Sequence, residues 1–359
     1  MEPSAIKTLR LFNQQLISPQ FNDVKSLVKY LGAIQAQDYN MAKWALGLRL
    51  PGSTDIAIEY AINAAEIIRT HILRPTWHFV AADDVRWMME LTAAHIKTAM
   101  KSSNRQLGLD EDIFKRSNEI IRKALTGQNY LTRIELCEIM NKSGINTSDL
   151  RSSHLMFRAE LDLIVCNGPI RNKQSTYALM DDRVPETKKL SREEALAKLA
   201  TRYFKSHGPA TLADFSWWSG LSLTSAKSAL NLIQSDVLNE VIDGSIYWFF
   251  DTGIAPADVK SLDLLPAYDE FLISYKNRGA SLQPGYAKDV MTNNGIFKPV
   301  ILFNGEVVGI WKRLIKKDSV VVEPLFFKPV TPLQKKELLL NLKLYSSFLD
   351  KKLIVIGEF

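Results

Sequence analysis

The same order of elements returns three times along this chain, closely spaced helical runs followed by a pair of short alternating strands, and few folds accommodate that recurrence. In the first pass, residues 6–17 and 21–33 carry apolar residues at helical spacing. Val24, Leu27, Val28 and Leu31 share one face, with Asn22 or Asp23 placed to cap it. After the Pro51-Gly52 turn comes a third run at 56–65, and the alternation of Ile72, Arg74, Thr76 and His78 reads as a β ribbon over 70–81. In the second pass, Thr132 caps a helix over 133–141, Gly144 turns the chain, and 148–161 forms a helix whose polar face shows Arg151, Ser152, Ser153, His154 and Arg158. Strands at 163–166 and 175–180 follow, with Asn167-Gly168 as a turn. The third pass has helices at 192–206, 212–219 and 224–233, then strands at 237–241 and 246–250 about Asp243-Gly244. Only the order repeats, not the residues.

Helix, helix, helix, ribbon is the winged-helix order. The expected fold is therefore α+β: about three tandem winged-helix units followed by a C-terminal β-barrel-like domain. The expected boundaries are 1–84, a helical spacer at 85–124, then 125–186, 187–255 and 256–359. The last segment changes texture, with strands at 300–303, 307–314 and 320–327, an amphipathic helix over 332–349 and a strand at 353–356.

With 359 residues, 46% hydrophobic and 23% charged, the chain is too long for one core and too apolar for disorder. Cys137 and Cys166 lie apart with no CxxC, which signals neither a disulfide framework nor a zinc site. No cofactor or metal is expected, and the expected location is the cytoplasm, on the nucleoid. No apolar run approaches 18 residues. The net charge of +6 is spread along the chain and fits a polyanion partner. In a helix-turn-helix the second helix can enter the major groove while the wing touches adjacent phosphates. Three such units in one basic chain favour DNA over a protein partner. Among the tryptophans, Trp44 (beside Lys43 and Arg49) and Trp77 (beside Arg74 and His78) are candidates for base stacking or, equally, for packing, and the others read as core.

At Gln35-Ala36-Gln37-Asp38 two glutamines stand at i and i+2, a spacing that places both on one side only if the backbone is extended. The residues alone also allow a glutamine pair bonding backbone at a helix end.

The chain nevertheless resembles a known family over nearly its whole length. Gln35-Ala36-Gln37-Asp38, Arg49, Arg74-Pro75-Thr76-Trp77-His78-Phe79-Val80, Leu265-Pro266-Ala267-Tyr268-Asp269-Glu270, Tyr275-Lys276-Asn277-Arg278 and Gly295-Ile296-Phe297-Lys298-Pro299 are similar, in order, to the winged-helix DNA glycosylases of the AlkZ type. The resemblance implies a basic C-shaped channel around duplex DNA. It also implies a monomeric enzyme that hydrolyses the N-glycosidic bond of N7-alkylated purines and unhooks interstrand crosslinks. The glutamine, apolar, glutamine motif falls on Gln35, Ala36 and Gln37, whereas a sister branch carries aspartate at the last position; the two-glutamine branch is associated with a narrower range of crosslinks. The chain departs from the pattern at the wing, where Pro75 stands for a glycine and Trp77 for a leucine, so differently paired strands are expected there.

Such a reaction suits two amides, because an N7-alkylated purine is already cationic and leaves without a strong acid. Positioned dipoles can then hold water at C1′ and stabilise an oxocarbenium-like transition state. Gln35 and Gln37 are the expected catalytic pair. Asp38 is expected to cap a helix, with a general-base role as the alternative. Lys43, Arg49, Arg74, Trp77, His78 and Arg278 are expected at the double-stranded DNA, mainly through phosphates. For His78, a backbone hydrogen bond within the wing is an equal alternative. Asp269 and Glu270 are expected to pair with Arg278 or Lys276. A bulky crosslink favours approach within the duplex over full base flipping. The competing reading is a non-catalytic winged-helix DNA binder or transcription regulator.

Overall fold

The structure, a computed structural model, describes residues 3–251, 253 and 260–357, so the expected boundary at 255/256 lies outside the described residues. The first stretch folds as α1 (Pro3–Asn13), α2 (Val24–Leu31), β1 (Ile34–Gln35), α3 (Tyr39–Arg49), α4 (Asp55–Asn63), β2 (Ile67–His71) and β3 (Trp77–Ala81). Asp23 caps α2 by accepting from the Ser26 amide at 2.8 Å. The strands form an antiparallel sheet in the order β1-β3-β2. Pro75 sits in the turn between β2 and β3, outside the ladder. Its missing N–H therefore costs no strand bond, and the pairing from His71 with Trp77 to Ile67 with Ala81 is unbroken.

The expected single spacer is two helices. α5 (Ala82–Gln106) follows β3 directly, and Gly108, at a φ of +62°, turns the chain before α6 (Glu111–Leu125). α5 is no passive spacer, because it buries Val85, Trp87, Met88 and Ile96 against Leu199, Tyr203 and Trp218 in a central core.

Helix pairs followed by ribbons then recur. β4 (Leu131–Thr132), α7 (Arg133–Lys142), α8 (Arg151–Leu161), β5 (Val165–Asn167) and β6 (Thr176–Leu179) form one set, with the strands in the order β4-β6-β5. Thr132 and Glu135 start α7 with a reciprocal capping box. After the short α9 (Met180–Arg183) come α10 (Arg192–His207), α11 (Leu212–Ser219), α12 (Leu223–Asn231) and the hairpin of β7 (Leu238–Ile242) with β8 (Ser245–Phe249). Asp243 and Gly244 both have positive φ, as a two-residue hairpin turn requires.

The C-terminal stretch contains β9 (Leu262–Leu265), the short α13 (Glu270–Ile273) and α14 (Ala287–Val290), then β10 (Val300–Phe303), β11 (Glu306–Ile315), β12 (Ser319–Phe326), α15 (Pro332–Phe348) and β13 (Lys352–Val355). Its five strands form an open sheet, β13-β12-β11-β10-β9. This sheet shares one core with the first stretch: Leu27, Trp44, Ile58 and Phe79 pack with Leu264, Trp311, Tyr345 and Phe348. Trp44, a candidate for base stacking, is part of that core. It is 2% exposed, its Nε1 donates to the Leu264 carbonyl at 2.8 Å, and its ring meets Tyr345 at 4.9 Å. Among the described residues no helix is long and apolar enough to cross a membrane.

Gly220 ends α11 in the left-handed region (φ +70°), where a Cβ would lie 2.2 Å from the Leu73 carbonyl oxygen. A Gly220→Ala substitution is expected to destabilise the protein by on the order of 2 kcal/mol, read as a lower urea midpoint at unchanged slope. An unaltered midpoint would refute this close approach of α11 to the β2–β3 turn.

Candidate active site

The backbone at the glutamine motif is extended. Ile34 pairs with Phe79 and Gln35 with His78, and the Ala36 amide donates to the Trp77 carbonyl at 2.7 Å. Extension meets the condition under which Gln35 and Gln37 share a side. Asp38 ends the strand by capping α3, accepting from the Met41 amide at 3.1 Å, and it also pairs with Arg313 at 3.2 Å. Both interactions hold its carboxylate as a cap.

Gln35 is buried and held from two directions. Its amide N–H donates to Glu270 Oε1 at 2.6 Å, and its side-chain Oε1 accepts from Arg74 Nη2 at 3.0 Å. Gln37 is exposed, and its Oε1 accepts a longer bond from the Trp77 amide at 3.4 Å. Among the described residues neither glutamine's side-chain nitrogen, Nε2, has a protein partner, so both remain available to a ligand or water.

Behind the strand, Glu270 is 1% exposed and does not pair with Arg278 or Lys276 as expected. It accepts from Trp218 Nε1 at 3.1 Å and from the Ser274 hydroxyl, with His207 Nε2 at 3.6 Å. Burial pushes its carboxyl up, but His207 and Ser274 more than offset this and bring it down to about 2. An ionised carboxylate therefore lies directly behind Gln35. Asp269 is bound by Arg49, not by Arg278. Two parallel bonds of 2.9 and 2.8 Å join them, and Arg49 gives its other donors to the Gln14 carbonyl, Gln14 Oε1 and the Ala45 carbonyl.

The expected DNA contacts divide by burial. Arg49 spends all its donors inside the protein, Lys43 is buried with its Nζ 2.9 Å from both Asp55 and Glu59, and His78 is fully buried with Nδ1 on the Thr76 carbonyl at 2.9 Å. These three are structural, because a phosphate could reach none of them without opening the core. Arg74 and Arg278 differ. Among the described residues neither has an ion-pair partner, and their guanidinium groups lie 5.8 and 5.6 Å from the ring of Trp217. Burial, and then Arg74, push Arg278 down to about 10. Trp77 is half-buried, against His71 at 3.9 Å. Trp217, 42% exposed, is the residue the sequence reading missed. Its adjacency to Trp218 was the available signal, since successive helical residues cannot both face one core.

Several buried groups set a pH dependence. Burial and the neighbouring Arg74 push His78 from 6.5 down to about 3, so as pH falls through that interval the unfolded chain takes up a proton that the fold refuses. Glu270, down from 4.5 to about 2, contributes stability that is present above 4.5 and lost as pH falls through 2. His207, which burial also holds down, acts in the same direction, whereas burial raises Asp263 to about 7 and so opposes them as pH falls; the His78 contribution by itself is lost between pH 6.5 and about 3. His78→Gln is expected to flatten the slope of stability against pH by one proton, about 1.4 kcal/mol per pH unit, in denaturant titrations across that interval. A parallel slope would contradict the assignment.

The family model described as DNA glycosylase AlkZ-like matches residues 28–348. An interstrand DNA cross-link repair glycosylase from Streptomyces sahachiroi is 24% identical over 339 residues, covering 88% of this chain and 87% of that protein. The solved structure of the S. sahachiroi DNA glycosylase AlkZ is similar in fold, with a TM-score of 0.82 at 19% identity, over 99% of this chain and 100% of that one. With the family match spanning most of the sequence, the chain belongs to the AlkZ-like DNA glycosylase family.

Proposed function

We propose that this protein is a monomeric, monofunctional DNA glycosylase that releases N7-alkylated purines, crosslinked ones included, from duplex DNA, using a water held by Gln35 and Gln37. One observation carries the reading: two glutamines on an extended edge, one anchored by Glu270 and Arg74 and the other open to solvent. The curated relative's name, an interstrand cross-link repair glycosylase, supports the substrate class.

The chemistry follows from charge. N7 alkylation makes the purine a cationic leaving group. As water attacks C1′, the C1′–N9 bond breaks and its electron pair returns to the base, leaving it neutral. Positive charge moves onto the sugar in the transition state. The amide oxygens of Gln35 and Gln37, each with a second lone pair beyond its bond to Arg74 or to the Trp77 amide, orient the water together with the free side-chain nitrogens and face that charge, and the ionised Glu270 behind Gln35 adds a favourable field. The water's proton passes to solvent, since Asp38 is engaged by α3 and Arg313. Arg74, Arg278 and Trp217 suit a backbone phosphate and an adjacent base, and the recurring helix pairs with their ribbons act as winged-helix units lining the channel.

Purified protein is expected to release N7-methylguanine from duplex DNA and to unhook a nitrogen-mustard crosslink, both measured by chromatography of the products. The Gln35→Ala, Gln37→Ala double variant should be slower by roughly 100-fold or more at unchanged melting temperature. Absence of release from either substrate, or normal release by the double variant, would sink the proposal. Arg74→Gln and Arg278→Gln should each lower the dependence of log affinity on log salt by about 1.

A further inference from the structure

Beside the end of the glutamine motif lies a cavity of about 360 Å³ that the chemistry above leaves unused, between the β2–β3 ribbon and the segment carrying Asn167 and Tyr177. Tyr39, Arg69, Trp77, Ile134, Ile170 and Tyr177 are among its walls. A second cavity of about 250 Å³ shares Trp77, Arg133 and Tyr177 with it and continues to His71 and Phe157. Trp77 is thus a wall of both. It is also tied to the motif on either side, accepting from the Ala36 amide at 2.7 Å and donating to Gln37 Oε1 at 3.4 Å. Tyr39 follows Gln37 by two residues, so the space begins where the motif ends.

The lining is aromatic and aliphatic, and its charge is one-sided. The Arg69 guanidinium lies 4.3 Å from the Trp77 ring and 5.5 Å from the Tyr39 ring. Its Nε and Nη2 donate to the Ala36 carbonyl, which leaves Nη1 without a partner among the described residues. Arg133 stands exposed at the rim, and among the described residues neither arginine forms an ion pair. The lining of this cavity carries two guanidinium groups and no carboxylate, with Glu160 and Asp38 acting on Arg69 only from outside it, so a neutral occupant suits it better than a cationic one. The guanidinium groups favour a neutral group carrying a hydrogen-bond acceptor. In duplex DNA the N7 edge of a purine points into the major groove, so a group attached there projects away from the base towards surrounding protein.

We propose that this cavity is a subsite for the substituent on N7, a neutral aromatic group bearing a carbonyl oxygen, whose ring lies among Tyr39, Trp77 and Tyr177 and whose oxygen accepts from Arg69. The inference rests on the glycosylase reading and adds to it the feature that discriminates among lesions.

The test fills the cavity from exposed lining positions, with Ile134→Trp and Ser175→Trp, neither of which is part of the core. Release is measured from duplexes carrying N7-methylguanine and N7-phenacylguanine. Both variants should lose roughly tenfold or more on the phenacyl substrate and stay within about twofold of the parent on the methyl one, the discrimination expected of an apolar pocket. Equal effects on both substrates, or none on either, overturn the proposal. A binding readout separates this from failure of the glycosylase reading: benzamide should bind the parent protein saturably in ligand-detected NMR, and Ile134→Trp should abolish that binding. A parent protein that releases no N7-methylguanine defeats the glycosylase reading alone, whereas the absence of benzamide binding defeats the aromatic subsite.

Discussion

The buried pair of Arg49 and Asp269 is the interaction on which the rest of the site depends. Removing a guanidinium and a carboxylate from water costs several kcal/mol each, and such a pair is tolerable only when its remaining hydrogen-bonding capacity is filled. Here it is, since every Arg49 donor finds an oxygen on Gln14 just past α1, on α3 or on Asp269. Asp269 Oδ1 also accepts from the Phe271 amide at 2.9 Å, which starts α13. The pair therefore fixes the direction in which the next residue, Glu270, leaves the chain, and so places its carboxylate on the backbone of Gln35. Segments separated by more than 200 residues in sequence are aligned through one side-chain pair, and the glutamine strand takes its position from them.

A second consequence concerns where the protein's positive charge resides. Arg10, Lys43, Arg49 and Arg202 engage carboxylates or carbonyls of the protein's own chain, with Arg202 on Asp84 at 2.6 Å and Arg10 on the Pro209 carbonyl at 2.9 Å. Their charge is neutralised internally or committed to the fold. Among the described residues Arg69, Arg74, Arg133 and Arg278, near the motif, have no acidic partner within ion-pair distance, and they lie against aromatic rings or at the rim of a cavity.

The hairpins, the caps of α2 and α7 and the helices with one apolar face were legible in the sequence because their determinants are local. Asp243-Gly244, Thr132 with Glu135, and Asp23 each act within four residues of themselves. α3 was not legible. It buries Met41, Ala42, Lys43, Trp44, Ala45, Leu46 and Arg49, covering more than one face, so no period stands out. The same burial explains the misassigned cations. Nothing near Arg49 in sequence announces Asp269, and an arginine looks free until its partner is found. The glutamine pair itself was legible as a motif, but the extension that aligns it comes from β3, some forty residues further on.

The core shared by the first stretch and the last sets an order of assembly. Leu27, Trp44 and Phe79 leave the ribosome well before Leu264, Trp311 and Phe348, against which they pack. Until the final fifth of the chain has been made, those side chains have only part of their burial. The glutamine strand, anchored to residue 270, has no fixed position either. Loop closure over such separations is slow, and half-buried aromatic surface invites aggregation in the meantime. A nascent chain of this protein consequently carries half-covered aromatic surface until Leu264, Trp311 and Phe348 have emerged, and the glutamine strand cannot be fixed before residue 270 has been made.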